Sequence, residues 1–177
     1  MEELFVGAFE IEDKEVLMDE IMNRHGQDIL RLVYTYVRNK EVAEDLTQDI
    51  FVKCYKALHT YSGKSTLRTW LWRIAINHCK DFLKSWYNKN VIITEDEPTH
   101  NSTRKEMIEE VVIQQEEDDH LIAAIMTLPI KYREVIYLFY YEELLIKEIA
   151  VVTEVGGNTV KTRLRRAKEL LKERLEE

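Results

Sequence analysis

The chain has 177 residues, 45% hydrophobic and 33% charged, which suits one ordinary soluble domain or two small ones. Only 5 Gly and 2 Pro leave few turn signals for a β-rich fold, and Leu, Ile, Glu, Lys and Ala dominate, so the expected class is all-α. The formal net charge is -8, two cysteines are too few for a disulfide framework, and the longest apolar run, "LIAAIMTLPI", is about half a membrane span.

The N-terminal "MEELFVGAFEIEDKE" is acidic and lacks the basic and apolar regions of a signal peptide. Residues 14–86 then alternate helical patterns with short breaks. In "EVAEDLTQDIFVKCYKAL" one face gathers Ala43, Leu46, Ile50, Cys54 and Ala57. The other shows Asp45, Gln48, Asp49, Val52, Tyr55 and Lys56, and apolar Val52 and Tyr55 among charges suggest a protein contact rather than bare solvent.

The next predicted helix begins near Ser65, "STLRTWLWRIAINHCKDFLKSW", with Leu67, Leu71, Ile74, Ala75, His78 and Phe82 as its main apolar side. Thr69, Arg73, Lys80 and Lys84 lie opposite, with Asn77 at the edge. Residues 64–89 carry six bases against Asp81 alone, and Tyr61, Trp70 and Trp72 lie near them. Aromatics beside cations suit a single-stranded nucleic acid, through stacking and phosphate neutralisation. Core packing is the competing reading of the tryptophans and the better one for Trp70. His78 is read as a packed histidine, and Cys54 and Cys79 as buried free thiols. No cofactor or metal is expected, since no CxxC zinc spacing, glycine-rich phosphate loop or paired-carboxylate motif occurs.

Residues 90–119 hold ten acids and two bases, Arg104 and Lys105, together with Pro98 and a "THNST" run, and read as an acidic linker. Helical periodicity resumes by Leu121 and breaks near Leu128-Pro129 and Gly156-Gly157. Around the second break, Ile149, Ala150, Val155 and Val160 are spaced as the shared core of a helix-turn-helix, with Asn158 or Thr159 available to cap its second helix. Thr153 and Glu154 stand where that motif prefers an aliphatic residue and a glycine, and Gly156-Gly157 offers a way to move the relief downstream. The last helix aligns Val160, Leu164, Ala167, Leu171 and Leu175 on one stripe. Asn158, Thr162, Arg165 and Arg166 lie opposite, with Lys161 on the flank. Residues 161–168 contain Lys161, Arg163, Arg165, Arg166 and Lys168 and no acid, so the charge sits in the half of the helix that enters a major groove. A helical hairpin with a solvated basic face would show the same stripe.

Together, "AEDLTQDIFVKCYKAL", "TLRTWLWRIAINHCKDFLK", "LPIKYREVIYLFYYEELLIKEIA" and "NTVKTRLRRAKELL" resemble, in order and spacing, the extracytoplasmic-function (group 4) sigma factors of bacterial RNA polymerase, in the sigma-70 family. The resemblance implies two small helical domains, residues 1–87 and 120–177, joined by a linker over residues 88–119. It implies an alternative sigma factor that directs promoter-specific initiation in a stress or envelope response. Asp45, Gln48, Asp49, Val52 and Tyr55 match the helix that docks on the β′ clamp of core polymerase. Tyr61, Gly63, Lys64, Ser65, Arg73, Asn77 and Lys80 match the surface that captures and melts the −10 element. Asn158, Lys161, Thr162, Arg163, Arg165 and Arg166 fall on the helix that reads the −35 element. The acidic linker would thread through the polymerase toward the active cleft and the RNA exit path, and the implied contacts on core are the β′ clamp and β. Three places depart from the family pattern: Gln48-Asp49 replaces Gln-Glu, Lys84-Ser85 replaces a basic pair, and Glu154 replaces a glycine at the turn that sets the −35 docking angle.

The partners implied are core RNA polymerase, promoter DNA and an anti-sigma factor, commonly membrane-anchored, without insertion of this chain into the membrane. The implied location is cytoplasmic, at the nucleoid when active and at the membrane when such a factor restrains it. A conventional helix-turn-helix regulator is the alternative and predicts a dimer on a palindrome. An enzyme acting on nucleic acid is disfavoured by the missing catalytic motifs.

Overall fold

The computed structural model describes residues 11–90 and 116–177, and both stretches are α-helical. Helix α1 (Ile11–Val37) buries Leu17, Met18, Ile21, Ile29, Leu32, Val33 and Tyr36, the three-and-four spacing of one helical face. Arg38 ends it with φ 51°, and its N–H still bonds the Tyr34 carbonyl at 2.8 Å. Asn39 then opens α2 (Lys40–Ala57), its side chain accepting the Val42 N–H at 3.0 Å. The two-residue join makes α1 and α2 a helical hairpin. A 3₁₀ turn (Leu58–Thr60) and a loop with Gly63 at φ 77° lead to α3 (Leu67–Asn90).

The second stretch begins with α4 (Glu116–Met126), and Pro129 fixes the entry to α5 (Ile130–Ile136). A π-helical turn, Tyr137–Tyr141, stacks the rings of Tyr137 and Tyr141 at 5.7 Å. Helices α6 (Ile146–Thr153) and α7 (Gly157–Glu176) follow as a helix-turn-helix. Among the described residues there is no strand, as an all-α class requires, and no helix is long and apolar enough to cross a membrane.

One continuous apolar core runs from Leu17 of α1 to Ala167 of α7. Helix α3 packs against α1 and α2 on one side and α6 on the other, and α1 also meets α5. This double packing shifts the buried face of α3 to Leu71, Trp72, Ala75, Ile76, Cys79 and Leu83. Ile74, His78 and Phe82, expected on the main apolar side, are only half-buried. Both tryptophans take part in the core, to different degrees. Trp72 is fully buried, with His25 edge-on at 5.4 Å and the Arg68 guanidinium 5.0 Å from its ring, whereas Trp70 is half-buried against Tyr61. Cys54 and Cys79 are buried free thiols, and burial pushes Cys54 up to about 12 and Cys79 higher still.

Arg133, fully buried, ties α5 to α1. Its Nη1 donates to the carbonyls of Met126 at 3.0 Å and Leu128 at 3.2 Å, and its Nη2 to that of Tyr36 at 3.3 Å. Arg133→Ala removes a charge-assisted donor from three carbonyls and leaves a cavity, and is expected to lower stability by about 3 kcal/mol. Urea unfolding at constant m-value measures this, and a loss below about 1 kcal/mol would mean the carbonyls find other donors.

Candidate nucleic-acid and protein interfaces

Helix α2 turns Ala43, Leu46, Ile50, Phe51 and Cys54 inward, and therefore turns the positions between them outward. Asp45, Gln48, Asp49, Val52 and Tyr55 are all exposed on that outer face, Val52 by 52% and Tyr55 by 38%. Two carboxylates flanked by an aliphatic and a phenolic side chain form a surface suited to a basic, partly apolar protein partner. Next to it, His78 is half-buried with Nε2 3.9 Å from an Asp49 carboxylate oxygen, and burial lowers its pKa. Among the described residues no group of three His, Cys, Asp or Glu could hold a metal.

The seven residues matched to −10 capture divide into two sets. Tyr61, Gly63, Lys64 and Ser65 lie in the loop before α3, where the Tyr61 hydroxyl donates to the Ser65 carbonyl at 2.6 Å and its ring lies 5.4 Å from Trp70. Gly63 and Lys64 are exposed. Arg73, Asn77 and Lys80 follow one ridge of α3, which faces the second stretch. Arg73 binds one Glu154 carboxylate oxygen through Nε at 3.1 Å and Nη2 at 2.9 Å, and Asn77 reaches it at 3.5 Å. These bonds from Arg73 and then Asn77 hold the Glu154 carboxyl below its usual value. Lys80 donates to Glu134 at 3.1 Å and to the Thr153 carbonyl at 3.3 Å. Glu134 is buried and also accepts the Tyr36 hydroxyl at 3.0 Å. Burial pushes its carboxyl up, while Lys80 and Tyr36 oppose that shift.

In the helix-turn-helix, Glu154 itself takes the left-handed conformation, φ 57° and ψ 38°, so the relief is not moved to the glycines. Gly156 is extended and serves as N-cap of α7, so neither Asn158 nor Thr159 is the cap. Thr153 fits a buried site because its hydroxyl donates to the Ile149 carbonyl at 2.6 Å. Helix α7 buries Val160, Leu164 and Ala167, while Leu171 is half-buried and Leu175 is 38% exposed. Asn158, Lys161, Thr162, Arg165 and Arg166 are brought together on its exposed side. Thr162 donates to the Asn158 carbonyl at 3.0 Å, and Arg166 pairs with Glu169 at 3.1 Å. Arg163 is set apart from this strip. It is half-buried, and its charge favours the ionised form of Glu134.

Two family models match: the one for sigma-70 region 2 over residues 21–87, and the one for sigma-70 region 4 over residues 119–171. The RNA polymerase sigma factor SigV of Bacillus subtilis is 30% identical over 158 residues, covering 89% of this chain and 90% of the relative. The ECF RNA polymerase sigma factor SigM of the same organism is 30% identical over 155 residues, covering 88% and 93%. The chain belongs to the extracytoplasmic-function sigma factors.

The sigma factor's fold matches that of RpoE from Bartonella quintana, solved with the anti-sigma factor NepR, at TM-score 0.71 and 18% identity, over 89% of this chain and 96% of that one. Sequence reading missed the acids of this sigma factor that receive the α3 bases. Glu134 lies in "KYREVI", inside an apolar helix where a carboxylate needs a buried partner, and that was a usable signal. Glu142 gave no such sign, yet it is buried and binds Arg68 of α3, which also donates to its carbonyl at 2.9 Å.

Proposed function

We propose that this sigma factor binds core RNA polymerase through the outer face of α2 and directs initiation at promoters read by α3 and α7. Asp45, Gln48, Asp49, Val52 and Tyr55 dock on a basic, partly apolar helix of the polymerase β′ clamp. Tyr61, Gly63, Lys64 and Ser65, with Arg73, Asn77 and Lys80, take up the −10 strand through phosphate neutralisation and base stacking. Asn158, Lys161, Thr162, Arg165 and Arg166 read the −35 element in the major groove, and Arg163 supports that helix from its flank. The division into domains at residues 1–87 and 120–177, with residues 88–119 as linker, belongs to the same reading. The two family models end and begin near those limits, and the central part, residues 91–115, lies outside the described residues. The sigma factor works by binding, with the chemistry left to the polymerase, in the cytoplasm and at the nucleoid. An anti-sigma factor restrains it, as NepR is bound to the related RpoE.

The observation that carries the reading is the pairing, in one chain, of an exposed acidic face on α2 with an exposed basic strip on α7. Retention of labelled genomic fragments on filters tests it. Core polymerase plus this chain is expected to retain a discrete set at physiological salt, while the free chain binds weakly and loses its binding steeply as salt rises. Nanomolar retention of that same set by the free chain would favour a conventional helix-turn-helix regulator.

A further inference from the structure

The α3 ridge assigned to the −10 strand is engaged within the chain itself. Glu154 places one carboxylate oxygen 2.9 and 3.1 Å from two nitrogens of Arg73 and 3.5 Å from the Asn77 amide. One turn further along the ridge, the Lys80 ammonium lies 3.1 Å from Glu134 and 3.3 Å from the Thr153 carbonyl. A carboxylate offers an arginine the same paired acceptor geometry as a phosphate. Glu154 therefore occupies the donors that a nucleic-acid strand would need. It does so from the left-handed corner of the helix-turn-helix, where a side chain other than glycine is uncommon. Glycine would relieve that corner but could not reach Arg73.

We infer that Glu154 is an intramolecular mask: its carboxylate occupies the Arg73 and Asn77 donors of the strand-binding ridge, so that the free chain binds single-stranded DNA more weakly than the bare ridge would. The inference rests on the reading of α3 as the strand-binding face. Glu134 and Thr153 form the buried side of the same contact, and Glu154 is its exposed, releasable side, with 48% of its side chain accessible. An exposed pair of this kind is weak enough to exchange for a competing partner.

The test compares the full chain with Glu154→Gln and Glu154→Gly. The first removes the charge at constant size, and the second also relieves the left-handed corner, so a loss of fold cannot explain its behaviour. Glu173→Gln removes the same charge from the far end of α7 and controls for general electrostatics. Binding to a fluorescein-labelled single-stranded oligonucleotide of random sequence is measured by anisotropy, and the radius of gyration by small-angle X-ray scattering. Both Glu154 variants are expected to bind about fivefold more tightly than the wild type, the factor that loss of one exposed ion pair allows, with an unchanged radius, because the continuous core and the Lys80–Glu134 pair still hold the helix-turn-helix on α3. The control is expected to gain less than twofold. Equal affinity in all four proteins would overturn the mask and leave the sigma-factor reading to the core-dependent tests. Tighter binding accompanied by a larger radius would also overturn it, since opening of the whole contact rather than release of the Arg73 and Asn77 donors would then be the cause.

Discussion

Replacing Asp45 and Asp49 together with Lys is expected to abolish binding to core RNA polymerase without unfolding the chain. Both carboxylates lie on the outer face of α2, and neither contributes to its buried stripe of Ala43, Leu46, Ile50 and Cys54. Lys is a good helix former, and among the described residues the side-chain contact recorded for them is the long one of Asp49 with His78 at 3.9 Å, so helicity and stability should hold. The effect at the interface is large because two attractions become two repulsions. Truncating one partner of a buried charge pair costs about 2–5 kcal/mol, so two reversals should weaken binding by more than about a thousandfold. Competition against labelled wild type for core polymerase, with circular dichroism as the fold check, measures this. Affinity within threefold of wild type would remove α2 from the interface.

Arg165→Ala with Arg166→Ala should give the opposite separation: core binding retained, and promoter use reduced by about a hundredfold. Each good arginine contact to a guanine edge is worth about 1–3 kcal/mol, and two lost together give that order of change. Ala keeps the helix, and Arg166 forfeits only its exposed pair with Glu169, which contributes little to stability. Run-off transcription from a promoter defined with the wild type, alongside the competition assay, reads the two activities separately. Equal loss of both would mean that the faces are wrongly divided.

What was legible in the sequence depended on whether an element buries one face or two. Helix α2 packs on one side, so a helical wheel separated Ala43, Leu46, Ile50 and Cys54 from Asp45, Gln48, Asp49, Val52 and Tyr55 without help from the structure. The N-terminal half of α7 behaves likewise, with Val160, Leu164 and Ala167 opposite the basic strip. Helix α3 lies between the hairpin and α6, and burial on two sides gives no single stripe. Its core face was therefore displaced by a position, and Trp72 rather than Trp70 is the buried ring. The pairs that engage its basic ridge join residues 54 to 81 positions apart, a separation that no local pattern encodes. Glu154 was visible as an oddity in a turn, but its partner Arg73 was not, and only the fold shows that the two are one feature.

The most direct measurement is run-off transcription from sheared genomic DNA of the source bacterium, using bacterial core polymerase with and without this chain. Discrete new transcripts that require the chain are the predicted result, and the sequences upstream of their start sites define the −10 and −35 elements. Transcripts that appear only when a second sigma factor is supplied, or none at all with the chain folded and bound to core, would contradict it.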